Sequence, residues 1–315
     1  MDSVRVGVIG IGGRGRGHIR ILSEYDDVEL AAVCDLIPDN RDAVAEEFGI
    51  PGSYENLNVM FDEAKLDAVF ITPTAHLNGK LALPGIERGI HSMVEKPPGI
   101  TAEETQNLKD AADKSGAKVM VGWNRRFHPV VTQARKAVLD NGPMTQLVGE
   151  FHKSISQQVS GDKFPELMHD QLFLETPIHS LDTIRFLADS EVKEVHSIVR
   201  RSMSAYRDIH AALIEFENGV VAQLINNYTT GARLERYEIH GHDISAYMEG
   251  ITGGKLYFEG EESEIVKGPT GGTEEQNRYF IDCVKNDVPI GPPAADLTEA
   301  VKSMKFAFDV LAGTK

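Results

Sequence analysis

Val4-Arg5-Val6-Gly7-Val8-Ile9-Gly10-Ile11-Gly12-Gly13-Arg14-Gly15 is the stretch on which the fold turns. Its first half reads as a buried strand. Its second half fits G-x-G-x-x-G where that strand turns into a helix. The motif alone is weak, but Asp35 stands 20 residues beyond Gly15, at the end of a second apolar run from Val28 to Cys34. Strand, glycine turn, helix, strand and acid in that order are specific for a dinucleotide site. The glycines permit a tight turn and let backbone N–H groups approach a pyrophosphate at the helix N-terminus. Asp35 is expected to accept hydrogen bonds from both adenosine ribose hydroxyls and to repel a 2′-phosphate, so NAD is expected rather than NADP. Arg14 and Arg16 are left open between pairing with phosphate and facing solvent.

The alternation continues outward from this unit. Asp39 is expected to cap a helix to Phe48, and Asp67 to Thr72 reads as an apolar strand. A helix from about Leu77 to Arg88 contains Pro84, which must cap, kink or break it. His91 to Glu95 is a strand. Thr101 and Glu104 have capping-box spacing before a helix to Ser115, and Lys118 to Val121 closes the series. Strands alternating with helices predict a parallel sheet with helices on both faces.

After Gly122 the rhythm changes. Pro129 suits the first turn of a helix ending at Asn141-Gly142. Leu147 to Lys153 is strand-like, Ser154 to Met168 is polar and irregular, and Leu172 to Ala188 reads as one helix. From Val192 to about Val266 the pattern is mostly strands, with Asn218-Gly219 a two-residue hairpin signal. Two helices end the chain. The expected architecture is α/β: residues 1–122 as a Rossmann dinucleotide-binding domain, and residues 123–315 as a second α/β domain with a long, mainly antiparallel sheet.

A chain of 315 residues is long enough for two domains, and 41% hydrophobic residues suffice for a sizeable core. Acidic side chains number 48 against 32 basic ones, a net charge of −16, which disfavours a nucleic-acid partner. Cys34 and Cys283 make no disulfide framework and no Cys-rich metal site, so a reducing cytoplasm is expected. No run reaches the roughly 18 apolar residues of a membrane span, and Met1 to Gly10 does not read as a signal peptide.

Three further groups carry chemistry. Glu95-Lys96-Pro97 ends a predicted strand, where ligands of such sheets bind. A lysine there can hold a substrate hydroxyl and stabilise negative charge on oxygen. Thr72-Pro73 and His76 follow the neighbouring strand, near the expected nicotinamide half. Glu175, His179 and Asp182, at spacings of four and three, fall on one face of the predicted helix. A carboxylate beside an imidazole orients it and raises its basicity, as a general base near neutral pH requires. A half-buried structural histidine is the alternative reading. His240-Gly241-His242 lacks a third ligand nearby, so no metal is expected.

In this order, Gly10 to Gly15, Asp35, Thr72-Pro73, Glu95-Lys96-Pro97, the run Val121 to Pro129, and Glu175 to Asp182 resemble the glucose–fructose oxidoreductase/inositol dehydrogenase/MocA (Gfo/Idh/MocA) family. The resemblance covers nearly the whole chain. It implies reversible NAD(P)-dependent oxidation of a sugar, cyclitol or related secondary alcohol, with residues 123–315 as a substrate-binding and oligomerisation domain built on a large open sheet, and dimers or tetramers through that sheet. Lys96 matches the lysine of the family's E-K-P motif and His179 its catalytic histidine. Glu175 falls where the family usually has Asp. The chain departs at His169-Asp170-Gln171 and Leu172-Phe173-Leu174, where the family often has a Gly-rich run.

The expected cofactor residues are therefore Gly10, Ile11, Gly12, Gly13, Arg14, Gly15, Asp35, Thr72, Pro73, His76, Glu95 and Lys96. Lys96, His179 and Glu175 are the expected catalytic group. Asn124, Arg125, Asp170 and Gln171 are expected to join them in holding a polyhydroxylated substrate, with Arg125 facing any negative group on it. His169 to Gln171 merely capping the helix start is the alternative. A non-catalytic NAD-binding regulator and a redox-neutral enzyme with tightly bound NAD are the rival functions.

Overall fold

The computed structural model describes residues 3–159, 164–250, 253–265 and 271–313. Residues 160–163 of the expected polar stretch, and Val266 at the expected end of the strand-rich region, lie outside the described residues.

Six strands form one parallel sheet: Val4–Ile9 (β1), Val28–Cys34 (β2), Gly52–Tyr54 (β3), Ala68–Ile71 (β4), His91–Val94 (β5) and Val119–Val121 (β6). Their spatial order is β3-β2-β1-β4-β5-β6. The order reverses at β1, so the ends of β1 and β4 flank a topological switch point, where sheets of this kind bind ligands. Buried Val4, Val6, Val8, Ile9 and all of β4 make the centre of the sheet apolar on both sides, as a parallel sheet covered by helices demands. The helices are Gly13–Leu22 (α1), Pro38–Phe48 (α2), Leu57–Glu63 (α3), Asn78–Glu87 (α4) and Ala102–Ser115 (α5).

Local chemistry sets several of these boundaries. Pro38, whose ring presets a helical φ, starts α2, so Ile37 is the cap and Asp39 lies in the first turn instead of capping. The α4 helix runs through Pro84 without ending there. Thr101 Oγ1 accepts from Glu104 N at 3.0 Å, while Glu104 Oε2 accepts from Ile100 N at 2.7 Å, one residue earlier than the usual capping box. β3 and α3 are too short to show a period in the sequence.

The second sheet has order β14-β13-β12-β11-β7-β10-β9-β8. Its strands are Gln146–Ser154 (β7), Val192–Arg200 (β8), Ile209–Phe216 (β9), Val221–Asn227 (β10), Thr229–His240 (β11), Ile244–Glu249 (β12), Gly254–Phe258 (β13) and Glu261–Ile265 (β14). All pairs are antiparallel except β7 with β10. Gly219, at φ 87°, turns the expected β9–β10 hairpin. Along β10, Ala222, Leu224 and Asn226 are buried while Val221, Gln223 and Ile225 are exposed, so one face packs and the other is open.

The helices of this region are Pro129–Asp140 (α6), Ser156–Val159 (α7), Glu166–His169 (α8), Leu172–Glu175 (α9) and Ile178–Ala188 (α10). The single helix expected from Leu172 to Ala188 is broken at Thr176-Pro177. Pro177 has no N–H to donate and disfavours helical backbone at the residue before it; Thr176 sits at φ −121°, ψ −44°. Every residue of α10 except Phe186 is buried, so it is the core helix of its unit. The chain closes with Thr273–Lys285 (α11) and Leu297–Ala312 (α12).

Two compact units result: residues 1–123 with 273–302, and residues 124–272 with 303–315. The sequence division at 122/123 assigns the whole C-terminal stretch to the second domain. Instead, α11 packs on α1 and β1, since buried Phe280, Ile281 and Val284 form its apolar face. No helix among the described residues is long and apolar enough to cross a membrane.

Candidate functional site

In the first unit the glycine loop is shaped by backbone bonds. A side chain on Gly10, at φ 87°, would put its Cβ 2.6 Å from Pro73 N, and one on Gly15 would strike the Gly10 carbonyl. These two glycines are required by packing. Gly12 and Gly13 are different, because a Cβ on either would meet nothing within 4 Å. Gly12 is the N-cap of α1 and brings no side chain to its first-turn N–H groups. Open space over uncapped donors is what a pyrophosphate needs, so the loop fits a dinucleotide.

Two expected cofactor residues also brace this loop. Asp35 Oδ2 accepts from Ile11 N at 2.6 Å and Oδ1 from Ile37 N at 2.9 Å. Each oxygen retains a second lone pair for a ribose hydroxyl. Thr72 Oγ1, buried, shares its hydrogen between Ile9 O at 3.0 Å and Gly10 O at 2.8 Å. Pro73 packs against Gly10, and His76 sits half-buried in a 3₁₀ turn, Ala75–Leu77. Burial, helped by the Lys80 charge, lowers the His76 pKa.

The two open arginines resolve differently. Arg14 Nε donates to Glu95 Oε1 at 2.6 Å, so its charge is committed to the E-K-P motif. Arg16 pairs with Glu47 at 3.5 Å. Glu95 is buried and also faces His18 Nε2 at 3.2 Å. Burial works to raise the Glu95 carboxyl, but the Arg14 charge and the His18 hydrogen bond outweigh it and hold the group well below the usual carboxylate range. Burial, with the Arg14 charge, lowers the His18 pKa against the Glu95 hydrogen bond. Glu95 therefore serves as an anchor at the end of β5, with half-buried Lys96 next in the chain.

In the second unit the expected substrate residues are tied to one another. Arg125 grips Glu235 through Nε and Nη2, each at 2.9 Å, and Nη1 reaches Asn124 Oδ1 at 3.0 Å. Asn124 Nδ2 donates to Gly271 O at 2.9 Å. Burial favours a protonated Glu235, but Arg125 overrides it and keeps the carboxyl below its ordinary pKa. The Arg125 guanidinium, expected to face a negative group on the substrate, is engaged by Glu235 through Nε and Nη2.

Arg126 makes the same grip on Asp182, at 2.8 and 2.7 Å, and Ser303 Oγ donates to Asp182 Oδ1 at 2.9 Å. Asp182 thus pins α10. His179, buried, is the second residue of α10, its N–H donating to Thr176 O at 3.0 Å. Because Pro177 ends α9, Glu175 is not on the His179 helix, as the four-residue spacing predicted. Glu175 is held instead by Thr176 Oγ1 and by Lys153 Nζ at 3.4 Å, with Lys153 Nζ also 2.7 Å from Thr176 Oγ1. Lys153 and Glu235 carried no signal in the sequence beyond their type, because each partner lies far along the chain.

Asp170 accepts from Arg201 Nη2 at 2.7 Å and from Arg207 N at 2.9 Å. His169 Nε2 lies 3.1 Å from Phe164 O. Gln171 takes part in the turn that starts α9, its carbonyl accepting from Leu174 N at 2.9 Å. His240 Nδ1 lies 2.8 Å from Ser245 Oγ, a strand-end contact.

Comparison with known proteins places these features in a lineage. The family profile described as "Oxidoreductase family, NAD-binding Rossmann fold" matches residues 4–123, and "GFO/IDH/MocA C-terminal domain" matches residues 136–247. The chain is 26% identical over 258 residues to the scyllo-inositol 2-dehydrogenase (NAD(+)) of Bacillus subtilis, spanning 79% of this chain and 72% of that one. It is 25% identical over 246 residues to the inositol 2-dehydrogenase of Salmonella typhimurium, spanning 76% and 70%. The solved structure of UDP-N-acetylglucosamine 3-dehydrogenase from Acidithiobacillus ferrooxidans shares the fold, with TM-score 0.85, 21% identity, and coverage of 100% of this chain and 98% of that one.

Proposed function

The chain belongs to the Gfo/Idh/MocA family of NAD-binding oxidoreductases, and from that premise we propose that it is an NAD-dependent dehydrogenase of a cyclitol, sugar or related polyhydroxylated secondary alcohol. The observation that carries the reading is the open space over the uncapped N–H groups at Gly12 and Gly13, with Lys96 at the carboxyl edge of the same sheet. The relatives named for inositol oxidation support the substrate class.

NAD, when bound, supplies the acceptor for the hydride that leaves the alcohol carbon. The first-turn N–H groups of α1 hold its pyrophosphate, and Asp35 accepts from the ribose hydroxyls and disfavours NADP by like charge. The Lys96 ammonium donates to the substrate hydroxyl oxygen and stabilises the negative charge that develops there. His179 takes the hydroxyl proton, and returns it in the reverse direction. Glu175, held beside Lys153, accepts from a second substrate hydroxyl. A second copy of the chain covers the open face of the second sheet, where Ile198, Leu213, Val221, Ile225 and Tyr247 are exposed. Buried thiols at Cys34 and Cys283 suit a cytoplasmic protein.

A panel of inositols, aldoses, polyols and nucleotide sugars, assayed for NADH formation, tests the reading. NADH formation that is lost in both Lys96→Ala and His179→Ala supports it. NAD binding with no reduction by any of them favours the regulator. Product formed with no net change in NAD favours the redox-neutral enzyme.

A further inference from the structure

We infer that Asn78 is a positioning residue for Lys96, an inference that rests on the role proposed above for that lysine. Asn78 is the first residue of α4 and is buried. Its Nδ2 donates to Glu95 O at 2.8 Å and to Pro97 O at 2.9 Å. Those carbonyls belong to the residues just before and just after Lys96. One amide group therefore spans the backbone segment from which the lysine side chain springs.

The use of this amide is one-sided. Both N–H donors are engaged, while Oδ1 is buried with no hydrogen-bond partner among the described residues. The orientation is forced, because the flipped amide would set Oδ1 against two carbonyl oxygens. A buried acceptor without a partner destabilises the fold, so stability alone does not account for an asparagine here. Gly79 makes the reach short: a Cβ there would lie 2.8 Å from Pro98 O, so only glycine lets the start of α4 lie against this segment.

The Glu95 carboxylate makes a second hold on this segment, accepting from Lys96 N at 3.3 Å. Arg14 and His18 grip that carboxylate and fix the end of β5, but neither touches the carbonyls on either side of Lys96. Asn78 fixes those carbonyls and with them the direction in which the lysine stem leaves the backbone. A displacement of about 1 Å at a reacting group costs on the order of 10²-fold in rate. Loss of the clamp should therefore reach turnover through Lys96.

Two variants separate this from a structural role. Asn78→Leu removes both donors at similar volume, and Asn78→Asp keeps the shape but replaces the donors with acceptors. Each should lower kcat by about 10- to 100-fold, with KM and the NADH dissociation constant changed less than about 2-fold. In a Lys96→Ala background, Asn78→Leu should cost less than about 2-fold more, because its effect passes through the missing lysine. Equal losses in both backgrounds would overturn the inference.

A readout without turnover accompanies the kinetics. In protein carrying carbon-13 dimethyl-lysine, the resonance deleted by Lys96→Ala should shift in both Asn78 variants, and an unmoved resonance overturns the inference. If Lys96→Ala leaves turnover intact, the functional reading fails, while the resonance still decides whether Asn78 places the lysine. Should Asn78→Leu not fold, Asn78→Asp and Asn78→Ser carry the same two measurements.

Discussion

The two units hold their polar groups in different ways. Around the glycine loop most of the decisive bonds run to backbone, with the Arg14–Glu95 pair the exception: Ile11 N to Asp35, Thr72 Oγ1 to Ile9 O and Gly10 O, Asn78 to Glu95 O and Pro97 O. Around α10 they run from guanidinium to carboxylate, Arg125 to Glu235 and Arg126 to Asp182. Backbone bonds shape a loop and leave the space over Gly12 and Gly13 open. Ion pairs between buried side chains consume the charges that make them. In both pairs the guanidinium is engaged by a buried carboxylate, and the open donors belong to the loop.

The hardest test of this contrast is chemical. His179→Ala and Lys96→Ala should each lower turnover by about 10²–10⁴-fold while NAD binding persists. Steady-state kinetics across pH with cofactor titration measures both. Near-normal turnover in His179→Ala would return that histidine to a structural role.

The ion pairs should act mainly on stability. Removing one partner of a buried pair leaves the other charge uncompensated, which typically costs about 3–5 kcal/mol. Arg126→Leu, which strands Asp182, should lower the denaturant midpoint accordingly. Arg126→Leu combined with Asp182→Leu should recover much of the loss. A single variant with an unshifted midpoint would remove the pinning role assigned to this pair.

Acid should act on the units in different pH windows. Burial, helped by the Arg207 charge, pushes His210 in β9 down to about 4. The unfolded chain then binds more protons between the ordinary histidine pKa and about 4, so stability is full above that window and falls as pH drops through it, by about 3 kcal/mol in all. His210→Phe should flatten that slope. Glu95 is depressed as well, but from the ordinary carboxylate value, so its contribution is present above that pKa and is lost only at lower pH. Stability followed by urea titration at several pH values separates the two, and a slope in the His210 window that survives the substitution would refute the assignment.

Cofactor choice is a smaller effect. Asp35→Ser should shift the NAD over NADP preference toward NADP by about tenfold, near 1.4 kcal/mol, in paired binding titrations. A wild-type protein that binds NADP more tightly would overturn the role of Asp35. Smallest of all, Asp170→Ala should change stability by no more than about 1 kcal/mol, since its pairing with Arg201 is partly exposed. A raised KM in that variant would restore Asp170 as a substrate residue.

How much was legible follows from the range of the forces involved. Strand, glycine turn and acid form a local pattern, because the backbone geometry of one βαβ unit is set by neighbouring residues. The resemblance rested on such local patterns as well. The Leu172 to Ala188 stretch misled because apolar spacing outweighed Pro177, whose missing N–H breaks the helix after Glu175. Lys153 was passed over because its partners Glu175 and Thr176 lie 22 and 23 residues away, and nothing in a strand's pattern marks which cation will find which acid.

By itself the sequence determined the parallel sheet, the glycine loop, Asp35 at the end of β2, Lys96 at the end of β5 and the strand-rich second half, since each depends on residues close in the chain. Tertiary structure alone decided that α11 joins the first unit, that Arg125 is spent on Glu235 across 110 residues, that Asp182 serves Arg126 and that Asn78 brackets Lys96. Those outcomes depend on which buried polar groups meet once the chain has packed, and the cost of leaving such a group unpaired is incurred only in the folded interior.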